Sequence, residues 1–119
     1  MKRLILGIIA ALGMAISSYA AETPTFPGGK EALDKFITAN LQYPESAKAM
    51  GVEGVVNVQF IVMTDGSIGS IKIVRLVDPD LEQEAIRIVK KMPAWIPAEK
   101  DGQPIEATAQ VAIPFVLND

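Results

Sequence analysis

A chain of 119 residues has room for one small domain. Its formal net charge of −3 argues against nucleic acid or an anionic membrane surface as a partner. Cysteine and histidine are both absent, which excludes disulfides, thiolate metal sites and the usual neutral-pH bases and nucleophiles.

At the start, Lys2-Arg3 precede an apolar run from Leu4 to Ile16 and the ending Ser17-Ser18-Tyr19-Ala20. This is the pattern of a cleavable signal peptide over residues 1–20, with Ser18 and Ala20 as the small residues before the cut. The alternative is a retained membrane anchor, because the run to Ala21 is nearly long enough to span a bilayer; Gly7 and Gly13 favour removal. Either way the remainder is expected in an extracytoplasmic space. Cleavage takes away two bases and no acid, so the charge moves from −3 to −5. The remaining ~99 residues bury about 60–68% of their unfolded surface, enough for one core without staples.

Residues 21–27 form a short leader, extended because Pro24 and Pro27 keep their predecessors out of helical space. Gly28-Gly29 then open a helix whose apolar stripe is Leu33, Phe36, Ile37 and Leu41, with Lys30, Glu31, Asp34 and Lys35 toward water. The glycine pair follows no strand and lacks the Lys-Ser/Thr of a phosphate loop, so it reads as a turn. Tyr43-Pro44 start a shorter helix, with Pro44 at its first position, Ala47 and Met50 inward, and Gly51 as its stop.

From Gly54 to Val77 the period changes to two. Val56, Val58, Phe60 and Val62 alternate with Asn57 and Gln59, Ile71 and Ile73 alternate with Ser70 and Lys72, and Asp65-Gly66 lies between. This is a β-hairpin. An even-length turn pairs Phe60 with Ile71, Val58 with Ile73 and Gln59 with Lys72, whereas a three-residue loop sets apolar against polar, so the even turn is expected. A lone hairpin is barely stable in water and needs a third strand or helices over its apolar face.

Asp78-Pro79-Asp80 begin a third helix, capped by Asp78, with Asp80, Glu82 and Glu84 at its positive end and Lys90-Lys91 at its negative end. Leu81, Ala85, Ile88, Val89 and Met92 form its buried stripe, and Pro93 ends it. The four acids superficially resemble alternating calcium ligands, but no glycine-turned loop carries them, and helix-end compensation is the expected role. Trp95, between Pro93 and Pro97, is expected to plug the core at the end of the sheet. Asp101-Gly102 make a second turn. Beyond it Ile105, Ala107, Ala109, Val111, Ile113, Phe115 and Leu117 share one parity against Glu106, Thr108 and Gln110, the clearest strand in the chain. Pro114 cannot donate to a ladder, so this strand belongs at an edge, and Ala107 to Ile113 carry no charge to block that edge.

In chain order, Phe26-Pro27-Gly28-Gly29, Tyr43-Pro44, Gly51 with Glu53-Gly54, Val55 to Met63 with Asp65-Gly66, Leu81 with Glu84-Ala85, Met92 to Pro97, Gly102-Gln103-Pro104 and Pro114-Phe115 resemble the TonB C-terminal domain family, in the version common in Bacteroidetes-type bacteria. The resemblance implies an α+β domain over residues 28–119, with two to three helices packed on one face of a small antiparallel sheet made of the hairpin 55–77 and the C-terminal strand 105–117. It also implies a periplasmic interaction module that accepts a segment of an outer-membrane TonB-dependent transporter, or of another periplasmic protein, as an added strand. The implied acceptor is Ala109, Gln110, Val111, Ala112 and Ile113, assisted by Asn40, Gln42, Tyr43 and Pro44; Asn40 stands where the family has a glutamine. Replacing Val111 with proline is expected to remove an edge donor. A second copy of the chain is an alternative guest for the same edge.

No catalytic role, cofactor, metal or nucleic acid is expected, and the N-terminal segment meets membrane only if uncleaved. A family transducer uses an anchor histidine and a long proline-rich spacer. This sequence has no histidine, and residues 21–27 extend only about 25 Å. An anchored energy transducer is therefore the alternative rather than the leading reading.

Overall fold

The hairpin forms with its expected pairs but not its expected turn. In the computed structural model, which describes residues 23–118, β1 (Gly54–Val62) pairs antiparallel with β2 (Ile68–Ile73), and Val58 faces Ile73 while Gln59 faces Lys72. The expected signal segment lies outside the described residues. Near the turn, Met63 N donates to Ser67 O at 2.8 Å and Val62 pairs with Ile68, so the loop has an odd length. Left alone, that loop would turn the apolar residues of β2 outward. An irregularity opposite Gln59–Ile61, where Ser70 has φ 52°, restores the register by placing an extra residue in β2. Phe60 consequently has no direct partner in Ile71.

The loop shape is set by what docks on it. Trp95 N donates to Gly66 O at 2.9 Å, and a Cβ on Gly66, where φ is +89°, would lie 2.3 Å from Trp95 O. Only glycine allows that approach. Turn and tryptophan segment therefore form one unit, completed by Thr25, which exchanges two hydrogen bonds with Ile96.

The expected C-terminal strand is two strands. β3 (Ala98–Lys100) and β4 (Gln103–Ile105) make a separate two-stranded sheet joined by Asp101 (φ 53°) and Gly102 (φ 78°), both positive as a type I′ turn requires. After Glu106, β5 (Ala107–Phe115) pairs antiparallel with the whole of β1, from Gly54 opposite Phe115 to Val62 opposite Ala107. The main sheet order is β2-β1-β5, so β5 is an edge, as Pro114 demands.

The helices α1 (Gly29–Asn40), α2 (Glu45–Ala49) and α3 (Pro79–Lys90) complete the α+β fold. On α3, Leu81, Ala85, Ile88 and Val89 are fully buried with Val56, Val58, Phe60 and Val62 of β1 and Ile113 of β5. Asp78 caps this helix, its Oδ2 accepting from Asp80 N and Leu81 N at 3.0 and 3.1 Å. Trp95 plugs the core, its ring edge-on to Phe26 and Phe60, and Phe26 links on to Phe36 of α1. Three expectations fail locally. Pro44 is the cap residue of α2 rather than its first helical position. Met50 is 78% exposed, because a five-residue helix ends before its stripe reaches that position. Glu84 is buried within α3 rather than solvated at its positive end.

Candidate functional site

Hydrogen-bond direction in the sheet decides which residues of β5 are free. Val74 N donates to Asn57 O at 3.0 Å and Met63 N to Ser67 O, so the odd-numbered residues of β1 turn their main chain toward β2. Because bonded and non-bonded pairs alternate in an antiparallel ladder, the even-numbered residues of β1 bond to β5. Their partners are Ala107, Ala109, Val111, Ile113 and Phe115. It follows that Thr108, Gln110 and Ala112 point N–H and C=O away from the sheet, where no strand lies among the described residues, and that Pro114 offers a carbonyl alone. The side chains of these four residues are exposed, whereas Val111, Ile113 and Phe115 are buried under the helices.

The expected acceptor stretch thus divides in two. Gln110 and Ala112 present main-chain groups to the edge, while Ala109, Val111 and Ile113 spend theirs on β1. The expected effect of a proline at Val111 is corrected accordingly: it would break the β1–β5 ladder, and the edge donors to remove are at Thr108, Gln110 or Ala112. Side-chain parity cannot supply this distinction, since it names the buried face and not the direction of the amides.

A groove of about 650 Å³ is lined by Ile37 and Thr38 of α1, by Leu41 just after that helix, and by Val55, Ala112, Pro114, Val116 and Asn118. Lys30 and Asp34, also on its wall, pair with each other at 2.8 Å. The sequence reading missed this groove, assigning Leu41 and Ile37 to the core alone. The available signal was a second stripe along α1, Lys30, Asp34 and Thr38, continued by Leu41 just after the helix, spaced at three to four residues.

Asn40, Gln42, Tyr43 and Pro44 are placed elsewhere. Gln42, Tyr43 and Pro44 border a second depression of about 510 Å³ together with Glu84 and Arg87 of α3, and no residue of β5 lines it. Gln42 N donates to Glu84 Oε2 at 2.7 Å, and Arg87 Nη2 donates to Asn40 O at 2.7 Å. Arg87 also grips Glu84 through Nε and Nη2, each at 2.7 Å. Burial pushes the Glu84 carboxyl up, but the bonds from Arg87 and Gln42 prevail and hold it below its ordinary value. The Asn40 side chain caps locally, Nδ2 donating to Phe36 O at 2.9 Å. Tyr43 donates its hydroxyl to Val52 O and sets its ring edge-on to Phe115, centroids 5.6 Å apart. Desolvation, then Glu53 and Asp78, raise the tyrosine pKa. The segment is therefore a clamp joining the end of α1 to α3, and through Tyr43 it braces the end of β5.

The acids of the third helix each have a separate partner. Asp78 caps, Ser46 Oγ donates to Asp80, Val77 N donates to Glu82 Oε2 at 2.6 Å, and Glu84 holds Arg87. Among the described residues there is no group of three or more potential metal-ligating side chains, and no helix long and apolar enough to cross a membrane.

Comparison with known proteins agrees with this architecture. The family described as Gram-negative bacterial TonB protein C-terminal matches residues 39–117, a span that holds the clamp and the whole main sheet. Two solution structures of the Helicobacter pylori TonB-CTD are similar. The form spanning its residues 194-285 is 24% identical with a TM-score of 0.59, covering 75% of this chain and 94% of that chain. The form spanning residues 179-285 is 27% identical with a TM-score of 0.56, covering 72% of this chain and 78% of that one. No curated protein matches significantly. With a family match extending over well more than half of the sequence, and the α+β fold to go with it, the chain belongs to the TonB C-terminal domain family.

Proposed function

We propose that this domain is a periplasmic interaction module serving outer-membrane transport, which takes an extended partner segment as a fourth strand on β5. The observation that carries the reading is the row of outward main-chain groups at Thr108, Gln110 and Ala112, on an edge with no strand beside it among the described residues. Membership of the TonB C-terminal family supports the context, and the N-terminal segment of an outer-membrane TonB-dependent transporter is the partner it suggests.

In strand addition the main chain supplies affinity and the side chains supply specificity. Three donors and four carbonyls on the edge suit a guest of roughly five to seven residues, each neutral bond contributing about 1 kcal/mol net. A guest this short binds weakly unless side chains add to it. Asn40, Gln42, Tyr43 and Pro44 contribute by holding the end of α1 and the end of β5 in place.

The test is a calorimetric titration of a synthetic transporter N-terminal peptide into the wild-type protein and into A112P. Edge strands tolerate proline where the N–H faces outward, so A112P keeps the fold, and its thermal midpoint is read in parallel. Binding weakened by at least tenfold in a folded A112P supports the reading; unchanged affinity refutes it.

A further inference from the structure

We propose that the bulge at Ser70, with a lysine on either face of the strand, closes β2 to strand addition, so that the sheet has a single accepting edge. The direction of a guest to β5 rests on strand addition there; the closing of β2 does not. The sheet order makes β2 the opposite edge, with no strand beside it among the described residues. Ser67, Gly69, Lys72 and Val74 turn their main chain to β1, opposite Met63, Ile61, Gln59 and Asn57. Ile68 and Ile73 therefore point N–H and C=O outward. Their side chains and that of Ile71 pack half-buried against the core, so β2 has the apolar, unpaired character that draws a second chain.

The bulge repairs the register toward β1 and breaks it toward the outside. Outward groups recur every second residue in a regular strand, as they do at Thr108, Gln110 and Ala112 along the unbroken β1–β5 ladder. On β2 the outward positions Ile68 and Ile73 are separated by an odd interval, because Ser70 (φ 52°) is an extra residue between them. A straight guest can match the part before the bulge or the part after it, but not both. Charge guards each part. Lys72 is exposed on the face away from the helices, and Lys90 at the end of α3 shares a depression with Ile68 and Ile71 on the other. A guest laid on β2 would crowd both ammonium groups and strip water from them. On β5, Thr108, Gln110 and Ala112 are uncharged. The consequence is valency. Two accepting edges would let β5 of one copy pair with β2 of the next in an open-ended chain, whereas one edge takes one guest and stops.

The test deletes Ser70 and adds Lys72→Thr in the purified protein. Without Ser70 the ladder closes with Ile71 opposite Phe60 while Val58 keeps Ile73, so the fold is retained, as read by circular dichroism and tryptophan emission. In sedimentation the wild type should stay monomeric, whereas the altered protein should associate, its average mass rising about twofold or more with concentration. Adding A112P removes the β5 half of the contact and should reverse the association; association that survives A112P is β2 against β2 and still supports the closing of β2. A folded variant that associates no more than wild type overturns the proposal. A second measurement needs no variant: amide exchange of the wild type with and without the synthetic transporter peptide. Slowing at Thr108, Gln110 and Ala112 with Ile68 and Ile73 still fast supports the proposal, and slowing at Ile68 and Ile73 overturns it. Slowing at neither edge counts against strand addition, and sedimentation then decides the closing of β2 by itself.

Discussion

Removing the Glu84 carboxylate should cost far more than a single glutamate on a helix normally does. It accepts from Gln42 N, Arg87 Nε and Arg87 Nη2, all at 2.7 Å, and its side chain is only 9% exposed. E84A leaves the Gln42 amide and the guanidinium without their acceptor. Breaking a fully buried pair costs about 3–5 kcal/mol, but Arg87 is 34% exposed and water recovers part of that, so about 2–3 kcal/mol is expected. For a domain of this size that lowers the thermal midpoint by about 10–20 °C. The sole tryptophan, buried between Phe26 and Phe60, reports the transition by fluorescence. The pH dependence follows from the sign of the shift. With its folded pKa held below the ordinary value, Glu84 contributes fully above about pH 4.3–4.5 and loses its contribution as pH falls through the folded pKa. The gap between wild type and E84A should therefore narrow in acid. A loss under about 0.5 kcal/mol at pH 7, or a gap that widens in acid, would refute the clamp.

Two further substitutions test the scaffold. G66A forces a Cβ to 2.3 Å from Trp95 O at a positive φ, so it should destabilise by more than about 2 kcal/mol in chemical denaturation and shift the tryptophan emission; a near-neutral result would mean that the turn and Trp95 are not docked. D78A removes the cap of α3 and should cost about 1 kcal/mol, with an intact fold by circular dichroism; no loss would show that the cap bonds contribute nothing.

Much of the fold was legible because its signals are local. The period-2 runs gave β1 and the buried parity of β5, Pro114 placed β5 at an edge, and Asp78-Pro79 marked the start of α3. The misses involve contacts between distant segments. The hairpin turn is odd because Gly66 is held by Trp95, and the bulge at Ser70 then rescues the register; neither can be read from the hairpin alone. Glu84 resembled a solvated helix acid because one of its donors, Gln42 N, lies more than forty residues away, as does Asn40 O, which accepts from its partner Arg87. Met50 failed for lack of helix length. As for the site, the edge was legible but its two main-chain parities were not, and the groove beside it depends on where α1 lies.

Amide hydrogen exchange, residue by residue, addresses the central claim most directly. In the free protein Thr108, Gln110 and Ala112 should exchange rapidly while Ala109, Val111 and Ile113 are protected, and a bound guest strand should slow the first three selectively. Slow exchange at Thr108, Gln110 and Ala112 in the isolated monomer would contradict an open edge on β5.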